Sequence, residues 1–206
     1  MGQGILIAIE GIDGSGKSTQ ADLLTRALVR EGYPVVKLKE PTSGRWGQRI
    51  REIVQGGRGD LRPQAELELF VQDRYEDVQE RILPALEQDH IVVMDRYYFS
   101  TMAYQGALGL DPRAIQRVNE EFAPRPDLVF ILHLPPSVAV QRITRSRGTG
   151  NDAFEQERYL AAVEAIYTDL REPSIHHLDA LQPAEEVHRE IWRVVEASLQ
   201  PFLREP

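Results

Sequence analysis

Five short apolar runs recur along the chain, at Ile5–Glu10, Val35–Lys39, Ile91–Asp95, Leu128–Leu134 and Ile175–Asp179. The first, third and fourth are apolar at consecutive positions, which predicts parallel strands covered on both faces. Between the runs lie longer stretches with apolar residues at helical spacing. These predict helices over Lys17–Arg30, Gly44–Gln55, Pro63–Glu87, Pro112–Phe122, Pro136–Ile143, Phe154–Leu170 and Pro183–Leu199. In the last, Val187, Ile191, Val194, Val195 and Leu199 form one stripe, the face a helix lays on a sheet. Alternation of strand and helix predicts an α/β fold: one domain over residues 1–206, built on an open five-stranded parallel sheet with helices on both faces. One polar, glycine-rich interruption, Arg145 to Asp152, reads as a mobile loop.

Composition narrows the function classes. With 42% hydrophobic and 27% charged residues the chain is an ordinary globular sequence. No apolar run approaches the length of a membrane helix. The formal charge of −8, from 24 basic and 32 acidic residues, argues against a nucleic-acid binder, which needs many Lys and Arg contacts to phosphate. The chain has no cysteine, so disulfides and zinc-thiolate sites are excluded, and a reducing cytoplasm is the expected location. The five histidines show no metal-ligand spacing. A small anionic ligand remains open, provided basic residues converge.

They do so first at Gly11-Ile-Asp13-Gly14-Ser15-Gly16-Lys17-Ser18, a G-x-x-x-x-G-K-[ST] loop entered by an apolar strand and left by an amphipathic helix. Its glycines let successive N–H groups face phosphate oxygens, and the helix N-terminus adds its dipole. Lys17 is expected on the β- and γ-phosphates, Ser18 on Mg²⁺, and Thr19 beside them. This makes the fold one of P-loop NTPase type. A guanine-reading Asn-Lys-x-Asp element is absent, no separate Asp-x-x-Gly switch motif follows a later strand, and 206 residues are few for the accessory domains of most motors. A small-molecule kinase is left.

A second anion site is predicted at Asp95-Arg96-Tyr97, where an apolar strand ends in a carboxylate and a guanidinium. Strand C-termini in a parallel sheet line the ligand crevice. Asp95 there suits Mg²⁺, and Arg96 suits a second phosphate held by two-pronged contact. Lys39-Glu40-Pro41 closes the second strand in the same way. Phe70 and Arg74, four residues apart, share one helix face and offer a ring and a guanidinium to a base; the same spacing equally permits Phe70 in the core and Arg74 in solvent.

Taken together, Glu10 to Gln20, Lys39-Glu40-Pro41, Phe70 with Arg74, and Asp95-Arg-Tyr-Tyr-Phe-Ser-Thr-Met-Ala-Tyr-Gln-Gly106 resemble the thymidylate kinase family over essentially the whole chain. The resemblance implies ATP-dependent phosphorylation of thymidine monophosphate with Mg²⁺, in a homodimer. It implies that Phe70 stacks on thymine, Arg74 hydrogen-bonds the base, Arg96 binds the acceptor phosphate and Asp13 the 3′-hydroxyl. Thr101 and Gln105 help read the base, and Tyr104 crowds the 2′ position. It also implies a lid at about 144–153 which, because Asp13-Gly14-Ser15 lacks an arginine, supplies the catalytic one: Arg145 or Arg147. The family's usual Arg-Glu-Pro-Gly-Gly-Thr is replaced by Lys39-Glu-Pro-Thr-Ser-Gly44, with Arg45 as a substitute arginine. Rival readings are a kinase for another monophosphate or for a deoxynucleoside, with Glu40 as base, and a regulatory module that binds ATP without transfer.

Overall fold

A computed structural model of the chain describes residues 4–56, 61–147 and 153–199, with the side chains of Gln55, Ser146, Arg147 and 153–155 left out. The elements run β1 (Ile5–Gly11), α1 (Lys17–Arg30), β2 (Val35–Lys39), α2 (Arg45–Gly56), α3 (Pro63–Asp77), a π-helical turn (Val78–Ile82), α4 (Leu83–Glu87), β3 (Ile91–Asp95), α5 (Tyr98–Gly106), α6 (Pro112–Glu120), β4 (Leu128–His133), α7 (Pro136–Arg147), α8 (Ala153–Asp169), β5 (Ile175–Asp179) and α9 (Ala184–Leu199). All five strands join one parallel sheet in the order β2-β3-β1-β4-β5.

That order accounts for the patterns in the sequence. The inner strands β1, β3 and β4 are buried at every position but His133, as continuous apolar runs require. The edge strands β2 and β5 are buried only at Leu38 and Leu178 respectively, which is why their runs are the weaker signals. The stripe on α9 packs as expected, with Val187, Ile191, Val195 and Leu199 buried. Asp111 accepts from the Arg113 N–H at 2.9 Å and caps α6, with Pro112 in its first turn.

The structure departs from the sequence reading in three places. The stretch 63–87 is helical throughout but carries the π turn, a common device for re-aiming side chains near sites. Helix α7 runs on to Arg147, so the start of the predicted mobile loop is helix; residues 148–152 lie outside the described residues. Helix α5 was not foreseen. Seven of its nine residues are buried, so it has no polar face and shows no amphipathic period.

Candidate active site

The parallel register brings the C-terminal ends of β1, β2 and β3 side by side, with Ile9 opposite Asp95 and Lys39 opposite Asp95. Each strand delivers one part of the site there. β1 runs into the glycine loop, where Gly11, Gly14 and Gly16 have φ of 135°, 82° and 96°. A Cβ on Gly11 would lie 2.5 Å from the Leu132 carbonyl oxygen, so glycine is required by space as well as by conformation. Lys17 and Ser18 open α1 directly after Gly16. Lys17 is buried and its Nζ donates to the Ile12 carbonyl at 2.7 Å. Burial, with the nearby Arg96 guanidinium adding to it, lowers its ammonium to about 7 against the pull of Asp13 and Asp95. Ser15 is buried and Thr19 exposed beside them.

Asp95 ends β3. Its Oδ2 accepts from the Ser18 hydroxyl at 2.5 Å and pairs with the Lys39 ammonium at 2.9 Å. Burial would raise this carboxyl, but the Ser18 and Lys39 contacts outweigh it and hold it below its usual value. Its second oxygen, Oδ1, is buried with no hydrogen-bond partner. A hydroxyl beside a carboxylate with an open buried oxygen is a hard donor set that fits Mg²⁺. Lys39 already brings a cation to the same oxygens, its Nζ 3.1 Å from Ser18 Oγ.

Arg96 follows Asp95 in the left-handed region, φ 74°. Its Nη1 donates to Ser100 Oγ at 3.0 Å, and its Nη2 to Asp13 Oδ1 at 2.5 Å and the Tyr104 hydroxyl at 3.3 Å. Tyr104 also accepts from the Asp13 N–H at 2.9 Å, so the α5 aromatic ties the glycine loop to the guanidinium. Two basic groups, the buried Lys17 and the half-buried Arg96, therefore stand close together, a setting that invites a polyanion.

Arg74 is a core residue, 1% exposed, so the solvated alternative is set aside. Its Nη2 donates to Glu40 and, at 3.1 Å, to Thr101; its Nη1 donates to Asn119 at 2.6 Å. The guanidinium lies over the Tyr97 ring at 5.4 Å. Burial, relieved by Arg74 but reinforced by Asp77 and Asp73, pushes Glu40 up to about 8. Engaged this way, Glu40 is a partner of Arg74. Phe70, one turn before Arg74, is half-buried and is not among the residues packed on the core. Gln105 is buried with its Oε1 unpartnered. Glu40-Pro41 is a cis peptide, and Thr42 after it is held by Asp73 through its N–H at 2.7 Å and its hydroxyl at 2.6 Å. Arg45 is turned away from this loop, onto Glu76; Arg51 instead donates to the carbonyls of Pro41 and Thr42.

Arg145 sits exposed on α7 rather than in a loop, and the side chain of Arg147 lies outside the described residues. Several contributors were given no role by the sequence, although Glu10 and Ser100 fall inside the stretches quoted for the resemblance. Glu10, Ser100 and Tyr167 form a buried network under Arg96. Asn119 orients Arg74 from α6. Arg142 donates to the Gly14 and Ala180 carbonyls at 3.2 and 3.3 Å and lines a cavity of about 430 Å³ beside Ser15, Thr19 and Gln182. Glu10 had one visible signal, a charge closing an otherwise apolar strand.

Comparison with known proteins shows the family. A family model described as Thymidylate kinase matches residues 9–191. A probable thymidylate kinase of Archaeoglobus fulgidus is 43% identical over 95% of this chain and 96% of its own length. A thymidylate kinase of Xanthomonas campestris is 45% identical over 98% and 87%, and one of Akkermansia muciniphila 46% identical over 90% and 88%.

Proposed function

The chain belongs to the thymidylate kinase family, and we propose that it transfers the terminal phosphoryl group of ATP to thymidine monophosphate with the residues assembled above. The observation that carries this division of labour is the pair of basic side chains, buried Lys17 at the start of α1 and half-buried Arg96 at the end of β3, brought close enough to feel each other's charge. One serves the donor and the other the acceptor. Lys17 and the amides of Gly11 to Thr19 hold the β- and γ-phosphates. Arg96 receives the acceptor phosphate, which displaces Asp13 from part of the guanidinium. Phe70 stacks on thymine, while Arg74, Thr101 and Gln105 present hydrogen-bonding groups to it. Asp13 and Tyr104 meet the deoxyribose, and Lys39, Glu40 and Pro41 wall the acceptor side.

An acceptor phosphate oxygen forms the new bond to the γ-phosphorus as the bond to the β–γ bridging oxygen breaks, and ADP leaves. The nucleophile is already an anion, so no strong general base is required. Positioning and charge neutralisation supply the catalysis. Ser18 and Asp95 would hold Mg²⁺, which when bound neutralises charge on the donor phosphates. Arg145 and Arg147 end α7 at the lid and are the arginines that would reach the transferring group. We further take the protein to act as one kinase domain and as a cytoplasmic homodimer, as the family resemblance and the cysteine-free composition suggest.

The test is ADP release from Mg·ATP measured against a panel of nucleoside monophosphates and nucleosides. Stimulation by thymidine monophosphate far above the rest is the expected result. A different preferred acceptor would leave the phosphate loop in place and overturn the roles of Phe70, Arg74 and Gln105.

A further inference from the structure

Arg96 holds a left-handed backbone conformation that non-glycine residues adopt only when the surroundings impose it. A carboxylate on the neighbouring strand holds the amide that follows it. Glu10 is fully buried near the end of β1. Its Oε1 accepts from the N–H of Tyr97 at 2.7 Å and of Ser100 at 3.2 Å. Those are the N-cap and third-residue amides of α5, a helix with no side-chain cap of its own. One carboxylate oxygen from another strand thus does what a capping box does within a helix.

The other oxygen, Oε2, accepts from the Ser100 hydroxyl at 2.6 Å and the Tyr167 hydroxyl at 3.0 Å. Ser100 Oγ in turn accepts from Arg96 Nη1 at 3.0 Å. Its hydroxyl hydrogen points to Glu10, so its lone pairs are left facing the guanidinium. Arg96 is therefore fixed at both ends: its backbone by the bond to the next amide, its head by the hydroxyl. Tyr167 brings in α8, the helix that follows the lid segment, and Tyr159 of the same helix donates to the Tyr104 carbonyl at 3.0 Å.

We propose that Glu10 is a positioning residue for acceptor binding, which through Ser100 and the Tyr97 amide holds the Arg96 guanidinium in place for the acceptor phosphate. This rests on the kinase reading above. Glu10 touches neither substrate, so its effect passes through Arg96. An acceptor with a phosphate senses it and one without does not. Burial pushes the Glu10 carboxyl up against the pull of Ser100 and Arg96, which is tolerable because all four contacts are donors.

The experiment compares binding of thymidine monophosphate and of thymidine, by calorimetry, to wild type, Glu10→Gln and Ser100→Ala. A glutamine must turn its NH₂ toward donors on one side, and the serine variant removes the hydroxyl arm alone. Each variant is expected to bind the monophosphate roughly tenfold or more weaker, the loss of one bond to a charged group, with thymidine affinity unchanged. Equal weakening of both ligands, or of neither, overturns the proposal. If Glu10→Gln does not fold, Ser100→Ala decides. A wild type that turns over thymidine monophosphate while both variants keep its affinity sinks this inference alone; a wild type that does not turn it over sinks the kinase reading with it.

Discussion

Arg74 offers the sharpest test of how this site is built, because stability and recognition meet in one side chain. In Arg74→Met the volume stays filled, but Glu40 and Asn119 lose their charged donor and Thr101 a weaker one. Buried groups left unpaired in this way cost about 1–3 kcal/mol each, so a net loss of about 3 kcal/mol is expected after partial relaxation. For a chain of this size that lowers Tm by roughly 6–12 °C. The pH dependence adds a signature. Burial already raises Glu40 to about 8 beside Arg74, and removing the cation raises it further. Below about pH 8 the folded state then holds the Glu40 proton in both proteins, and the deficit is flat. Above it only wild type ionises Glu40 readily, so the variant's deficit widens as pH rises. Arg74→Met/Glu40→Gln should abolish the widening and recover part of the Tm, yet bind thymidine no better than the single variant. Thermal melts from pH 6 to pH 9, paired with thymidine calorimetry, read all of this. A Tm within about 2 °C of wild type, or a deficit that narrows above pH 8, would refute the account.

Three further outcomes follow from the same geometry. Lys17, lowered to about 7 in the empty site, should regain its proton when phosphates arrive, so Mg·ATP binding takes up protons and weakens as pH rises from 7 toward 9; calorimetry in buffers of different ionisation enthalpy measures this, and Lys17→Met should remove it. Arg145→Ala or Arg147→Ala should lower turnover at saturating substrates by tenfold or so, and if neither does, the lid arginine lies elsewhere. A Cβ on Gly47 would come within 1.9 Å of the Thr42 carbonyl oxygen, so Gly47→Ala should push out the loop that Asp73 holds and cost about 1–3 kcal/mol; an unchanged melt would argue against that contact.

Much of the molecule is local in origin and therefore legible along the chain. An inner parallel strand must be apolar on both faces, so β1, β3 and β4 declare themselves, and the glycine loop between β1 and α1 carries its chemistry in eight consecutive residues. The Asp95-Arg96 step at a strand end marks a candidate second site because strand C-termini line the crevice in this class of sheet. Phe70 and Arg74 shared a face by helical spacing, but spacing could not say whether that face met solvent, core or ligand.

Tertiary structure decided the rest, since burial and pairing depend on what arrives from elsewhere. Arg74 is buried because Glu40, Thr101 and Asn119 come from three other segments to surround it. Helix α5 has no visible period because neighbours cover all its sides. Glu10 is four hydrogen bonds deep because α5 and α8 deliver their donors to the end of β1. Local sequence already marks which residues carry charge to the crevice. The fold decided which of those charges are held still, because that requires partners far apart in the chain.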